Sequence, residues 1–251
     1  MKMLTEKRYN QILECLKEKS TVTVSELVEF IGASESTIRR DLNSLDKMGK
    51  LIKLHGGAAT IENDFSLEEH SVEIKKNLNS KEKEEIAKYA ASTLRKGDFV
   101  YIDAGTTTEK MIDYISETDV TFVTNGFTHA KKLAKRGFRV LITGGQIKVS
   151  TEAVVGTDTV EAIRKYNFTK CFMGTNGISL TSGFTTPDID EASVKSAAIQ
   201  NSYITYILAD HTKFDVVSSV TFASSAKGCI ITDILANDKY KEKCVIKEVL
   251  K

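Results

Sequence analysis

Two adjacent arginines, Arg39 and Arg40, follow a run of small hydroxyl residues in ASESTIRRDL, residues 33–42. A guanidinium can grip guanine O6 and N7 with two hydrogen bonds, or hold a phosphate, while Ser and Thr hydroxyls serve bases and phosphates alike. Ser34, Ser36 and Thr37 stand beside the arginines, and free N–H groups at a helix start near Ser34 would add a phosphate site. The alternative is ordinary surface charge, with Arg39 or Arg40 paired to Asp41 or Glu35.

A second constellation lies further along, in YIDAGTTTEKM. Asp103 ends an apolar run, and Gly105, Thr106, Thr107 and Thr108 open what reads as a helix. Glycine there permits close backbone approach, and hydroxyls with free N–H groups can cradle a phosphate. A plain strand-to-helix turn capped by threonine is the competing reading. Two other apolar runs end in similar fashion, at Thr124-Asn125 and at Gly144-Gly145, and ligands in open α/β sheets sit beyond the carboxyl ends of strands. Asn176, Glu191, Lys195 and Lys213 complete the candidates, the lysines favouring a phosphorylated ligand. No GxGxxG follows a strand and no GxxxxGK[ST] is present, so dinucleotide and P-loop chemistry are disfavoured. His129 and His211 share no metal-ligand spacing with another His or Cys, and read as structural or surface residues. Cys15, Cys171, Cys229 and Cys244 form no CxxC pair and read as small hydrophobes. No cofactor and no metal is expected.

The elements that must position these residues follow from apolar spacing. Tyr9, Ile12, Leu13 and Leu16 fall at i, i+3, i+4, i+7, and Val24, Leu27, Val28 and Ile31 repeat the pattern. Thr23 with Glu26 predicts a capping box, and Gly32 a stop. Ile38, Leu42 and Leu45 mark a third helix with Gly49 beyond it, and their burial would turn Ser36, Thr37, Arg40, Asn43 and Ser44 outward, with Arg39 toward the flank. Helix, helix, sharp turn, helix is the helix-turn-helix arrangement. Leu51, Ile52 and Leu54 with Gly56-Gly57 predict a small hairpin in which the glycines supply positive φ. Residues 59–79 lack a clean period and read as a linker, and Ser80 starts a further helix. Beyond residue 97, FVYID, VTFVT, FRVLIT, KCFMG, YITYILA and CIITD mostly alternate with helix-sized segments, predicting a mainly parallel sheet covered on both faces.

Composition agrees with a cytoplasmic, globular chain of 251 residues, 41% hydrophobic and 27% charged, with no apolar run of membrane-spanning length and no signal-like start. The net charge of +1 gives no broad electropositive field. Residues 33–58 hold five basic side chains against three acidic ones, a local +2 that permits nucleic-acid binding without demanding it.

The stretch ASESTIRRDLNSLDKMGKLIKLHGGA resembles the signature of the DeoR family of bacterial repressors, a Thr-Ile/Val-Arg-Arg-Asp-Leu recognition helix followed by a wing ending His-Gly-Gly-Ala. Within that family the chain is most similar to fructose-operon repressors. The resemblance implies a winged helix-turn-helix DNA-binding domain at 1–58, a linker at 59–79, and an α/β effector domain at 80–251. It makes Ser36, Thr37, Arg39 and Arg40 the groove-facing and phosphate-contacting candidates, with Lys53 and His55 on the wing, His55 being equally readable as a structural hairpin residue. It also implies that the second domain is similar to sugar-phosphate isomerases such as ribose 5-phosphate isomerase and binds a phosphorylated sugar. The family's DxGTT, TN, GG, ExxxK and ADxxK(F) elements stand at Asp103–Thr107, Thr124-Asn125, Gly144-Gly145, Glu191–Lys195 and Ala209–Phe214. That kinship raises an enzymatic alternative, in which Glu191 would move a proton between sugar carbons and Lys195 polarise the oxygen. The DNA-reading head argues against it. The expected partners are double-stranded operator DNA, a sugar phosphate such as fructose 1-phosphate, and further copies of the chain in a dimer or tetramer, with no membrane.

Overall fold

The computed structural model describes residues 2–60, 72–235 and 237–250, and the chain divides into two compact units, residues 1–63 and 64–251. In the first unit, α1 (Lys2–Lys19), β1 (Thr21–Thr23), α2 (Val24–Ile31) and α3 (Glu35–Lys47) precede a hairpin of β2 (Ile52–Leu54) and β3 (Gly57–Ala59). The apolar spacing does what it predicts: Ile12, Leu16, Val24, Leu27, Ile38, Leu42 and Leu45 are buried together, with Tyr9, Leu13, Val28 and Ile31 packed at the margin. Burial of each such aliphatic side chain contributes roughly 1.5–3 kcal/mol. Thr23 and Glu26 form the reciprocal capping box, and Gly32 closes α2 at φ +73°.

The hairpin corrects one expectation. Gly56 has the positive φ, +82°, but Gly57 does not. Gly57 pairs with Thr23 in the antiparallel order β1-β3-β2, and a Cβ there would lie 2.1 Å from the Val22 carbonyl oxygen. Its job is close approach, not turning.

The second unit opens with α4 (Val72–Asn77), a short helix inside the stretch that reads from sequence as an irregular linker; residues 61–71 of that stretch lie outside the described residues. Then come α5 (Ser80–Ser92), β4 (Phe99–Ile102), α6 (Thr106–Met111), β5 (Thr121–Thr124), α7 (Phe127–Lys135) and β6 (Arg139–Ile142). A hairpin of β7 (Gln146–Lys148) and β8 (Ala153–Val155) leads to α8 (Thr157–Arg164) and β9 (Phe168–Gly174). The chain continues through β10 (Gly177–Ser179), β11 (Gly183–Thr186), α9 (Ile189–Gln200), β12 (Ser202–Leu208), β13 (Val220–Ala223), β14 (Cys229–Thr232) and β15 (Val245–Glu248).

Seven of these strands form a parallel sheet in the order β15-β14-β12-β9-β4-β5-β6. Successive residues feed opposite cores. Val100, Ile102, Phe122, Phe172, Leu208 and Ile231 pack with Ile86 and Ala90 of α5, Met111 of α6 and Leu133 of α7. Tyr101, Val123, Cys171, Met173, Ile207 and Ile230 pack on the other face with Ile163 of α8 and Val194 and Ala198 of α9. This is the two-sided burial that continuous apolar strands require. From β4 the order runs outward through β5 to β6, and from β9 outward the other way. The strand order therefore reverses between β4 and β9, and a crevice opens beyond their carboxyl ends.

Candidate functional site

In the first unit, Ser34 caps α3, its hydroxyl 3.4 Å from the Thr37 amide that donates to it. The Ser34 hydroxyl also lies 3.1 Å from Ser36 Oγ and 2.9 Å from Thr37 Oγ1, so three hydroxyls gather at the start of α3. Arg40 is exposed and has no ion-pair partner among the described residues, beside exposed Asn43 and half-buried Ser44. Arg39 donates to Glu35 Oε1 at 2.6 Å across one helical turn, as the surface-charge reading anticipated. Such an exposed pair is worth about 0.3–0.5 kcal/mol and would not hold Arg39 back from a phosphate.

Asp41 partners neither neighbouring arginine. It is buried, and accepts from Arg8 Nε at 2.7 Å and Nη2 at 3.1 Å, locking α1 onto α3. The wing is tied to the same helix: the Lys53 amide donates to Asp46 Oδ1 at 2.9 Å, leaving the Lys53 and His55 side chains exposed. All seven residues singled out in this half sit on α3, its cap or the wing.

In the second unit, Asp103 stands at the end of β4, where the strand order reverses. It is buried, paired with Lys195 Nζ, and accepts from the Gly174 amide at 3.0 Å. Burial pushes its carboxyl up, against the opposing pull of Lys195. Asn125, also buried, accepts from the Ala104 amide at 3.0 Å and donates to the Val154 carbonyl at 3.2 Å. Thr124 accepts from the Gly126 amide at 3.0 Å. Thr108 donates to the Asp103 and Gly105 carbonyls at 2.7 and 2.8 Å. Beneath that turn lies His129, its Nε2 3.1 Å from both Thr108 Oγ1 and the Gly105 carbonyl oxygen. Burial drives its pKa down to about 3, so the ring is neutral and structural.

Asp103, Thr108, Thr124, Asn125 and His129 brace the strand ends without lining the adjacent cleft themselves; its lining includes Gly105, Thr106, Thr107, Asn176, Glu191 and Lys195. Thr151 of the β7–β8 loop donates to Glu191 Oε1 at 2.7 Å, and Lys148 reaches the same oxygen at 3.3 Å. Asn176 Oδ1 accepts from Thr186 at 3.2 Å, which turns its amide nitrogen free for other acceptors. Lys213 lines the far wall with Asp210.

Gly144 and Gly145 are not in this company. They follow β6, three strand positions from the reversal, where the Gly144 carbonyl accepts from Thr159 at 2.7 Å and a Cβ on Gly145 would meet that same hydroxyl. The glycine character of Gly145 answers to packing against α8, whereas a Cβ on Gly144 would meet nothing within 4 Å.

Among the cleft residues that escape sequence reading are two lysines, Lys75 and Lys83. Lys83 is only 5% exposed and donates to the Lys75 carbonyl. Burial, then the charges of Lys213, Lys110 and Lys75 against the one favourable carboxylate of Asp210, lower its pKa to about 8. In KEKEEIAKYAAS, Lys83 looks like any other solvated helix lysine; its only signal is the 3.6-residue phase it shares with buried Ile86, Ala87 and Ala90.

The DeoR-like helix-turn-helix family model matches residues 8–64, and the DeoR C-terminal sensor domain model matches residues 78–234. The chain belongs to the DeoR family. Over 251 residues, spanning 98% of this chain and 99% of the relative, it is 42% identical to the uncharacterized HTH-type transcriptional regulator FruR of Bacillus subtilis. It is 32% identical to the transcriptional regulator IolR of the same organism, over 94% of both chains. It is 33% identical to the lactose phosphotransferase system repressor of Staphylococcus aureus, over 94% of this chain and 93% of that one. These relatives are transcriptional regulators, and this DeoR-family member is a helix-turn-helix regulator with a sensor domain. Among solved structures, ribose 5-phosphate isomerase A from Methanocaldococcus jannaschii aligns over 54% of this chain and 55% of its own at 14% identity, with a TM-score of 0.42. No described helix is long and apolar enough to cross a membrane.

Proposed function

We propose that the chain represses a sugar-utilisation operon, of a fructose phosphotransferase system, and that a phosphorylated sugar in the cleft of the sensor domain controls its hold on operator DNA. The observation that carries this reading is the buried ammonium of Lys83, set among Lys75, Lys110 and Lys213 at the crevice of a parallel sheet. Burying a charge among like charges is costly unless something anionic relieves it. A phosphate dianion does so, with Gly105–Thr107 and Lys213 beside it. Glu191 and Asn176, further along the same wall, supply an acceptor and a donor for sugar hydroxyls, and the Asp103–Lys195 pair holds the floor rigid.

On the DNA side, Arg40 reads a base edge and Arg39 a phosphate, with Ser34, Ser36 and Thr37 positioning the start of α3 and Lys53 and His55 following the backbone from the wing. The protein acts as a dimer or tetramer in the cytoplasm and has no catalytic role. The resemblance to fructose-operon repressors makes fructose 1-phosphate the first effector to test. The test is a titration of sugar phosphates against the protein–operator complex, with fructose 1-phosphate expected to change DNA affinity. If only an unphosphorylated sugar or a nucleotide acts, the reading is wrong. Turnover of ribose 5-phosphate or fructose 1-phosphate by the protein would revive the isomerase alternative.

A further inference from the structure

From the contacts of α4, we infer that this short helix is the element through which occupancy of the cleft is passed toward the DNA-binding unit, and that an anionic sugar in the cleft clamps it in place. The inference rests on the effector reading above and adds its route. Along the chain, α4 is the first described element after β3, and residues 61–71 join the two.

Its attachments to the sensor domain are specific. Among the described residues, the Val72 amide donates to the Ser150 carbonyl at 3.3 Å, the Lys75 carbonyl accepts from Lys83 Nζ, and Lys76 pairs with Glu109 of α6 at 3.1 Å. No residue of α4 is buried, so apolar packing does not fix it independently. One of these ends on a group that lines the cleft, and another ends beside it. Lys83 lines it directly, and Ser150 precedes Thr151, whose hydroxyl is bound to Glu191 on the cleft wall.

Electrostatics set the direction. Lys83, whose Nζ holds the Lys75 carbonyl, is acted on by the like charges of Lys213, Lys110 and Lys75 against the carboxylate of Asp210. Like charges at this range weaken the hold of the Lys83 ammonium in its place. A phosphate dianion beside Lys83 offsets them and fixes the ammonium that holds the Lys75 carbonyl. Lys83 carries three donors, so it can serve a phosphate oxygen and still hold the Lys75 carbonyl. Effector binding therefore tightens α4.

Hydrogen exchange on the full-length protein, with and without fructose 1-phosphate, tests this. Peptides covering 103–108 report cleft occupancy, and peptides covering 72–79 report α4. We expect exchange to slow in both, by threefold or more in α4. Slowing at 103–108 with no change in α4 overturns the inference and leaves the effector reading standing. No slowing anywhere, with any sugar phosphate, overturns both. Lys76→Met supplies a second measurement, because Lys76 anchors α4 without lining the cleft. The variant should bind fructose 1-phosphate within about threefold of the native protein, judged against the few tenths to 1 kcal/mol that such a pair contributes. Its operator affinity ratio, with and without effector, should shift at least threefold, and an unchanged ratio would sink the proposed route.

Discussion

Arg39 and Arg40 are neighbours in sequence, yet their surroundings separate them. Arg39 already has Glu35 at 2.6 Å, while Arg40, unpaired among the described residues, projects from the side of α3 opposite Ile38, Leu42 and Leu45. Arg40→Ala should cost roughly 1–3 kcal/mol of operator binding and relax the preference at one base pair. Arg39→Ala should weaken binding about equally on all sequences. A gel-shift titration against operator variants distinguishes the two, and uniform loss with Arg40→Ala would reassign it to a phosphate. Lys83 allows a prediction of opposite signs in function and stability. Its pKa of about 8 in the folded chain lies below the 10.5 of a free lysine, so the unfolded chain binds more protons between those values. The charged group thus destabilises the fold below about pH 8, and this penalty disappears as pH rises toward 10.5. Lys83→Met should therefore melt higher than the native protein at pH 7, with the difference shrinking by pH 10, while fructose 1-phosphate affinity falls at least tenfold. Equal effector affinity in the variant would remove Lys83 from the site.

At the scale of elements, α3 depends on a contact that sequence reading misassigned. Asp41 lies next to two arginines, and proximity in sequence suggests them as partners. Helical geometry decides otherwise: Asp41 sits beside Leu42 on the buried side of the helix, and the arginine that meets it is Arg8, thirty-three residues away. Asp41→Ala leaves the guanidinium of Arg8, itself 23% exposed, beside a hole in the α1–α3 contact, and should cost about 2–3 kcal/mol, somewhat less than a fully buried pair. Circular dichroism should show the DNA-binding unit melting early, with the sensor domain unaffected. Simultaneous loss of both would mean that the units do not unfold separately. The same distinction governs what was legible elsewhere. Helix caps and apolar stripes are local patterns, and Thr23, Gly32, Ser34 and the alternating strands could be read from spacing. Which strand ends meet is a matter of sheet order, which spacing does not carry. Asp103 and Asn125 were brought to the crevice, whereas Gly144-Gly145, equally glycine-rich, went to an outer strand. Lys75 and Lys83 were missed for a related reason: a lysine's burial depends on what folds over it, and α4 lies in a stretch without periodicity.

For the whole molecule, the small charge of the DNA-reading region sets a limit on what one chain can do. Residues 33–58 carry a net +2, and each neutralised phosphate contributes about 0.9 to the slope of log affinity against log salt. A single head should therefore bind with a shallow slope and low affinity, close to non-specific binding. Two heads joined in one assembly turn the second contact into an intramolecular event, which can raise affinity by about 10²–10⁴ without any new contact. The operator should accordingly hold two half-sites spaced to match the assembly's symmetry. Fluorescence anisotropy at several salt concentrations, on DNA carrying one or both half-sites, measures both quantities together. The two-site DNA should bind about 100-fold tighter or more, with roughly twice the salt slope. Equal affinity for both DNAs would mean that one head suffices, and the predicted oligomer would then have no part in reading the operator. The same assembly shapes the response to effector, because a hundredfold loss of operator affinity needs about 2.7 kcal/mol of coupling. Shared between two sensor domains, that is about 1.4 kcal/mol each, a factor of ten per occupied cleft. Release should then proceed in two steps as fructose 1-phosphate is added, and a single-step titration at half-occupancy would place the whole coupling in one subunit.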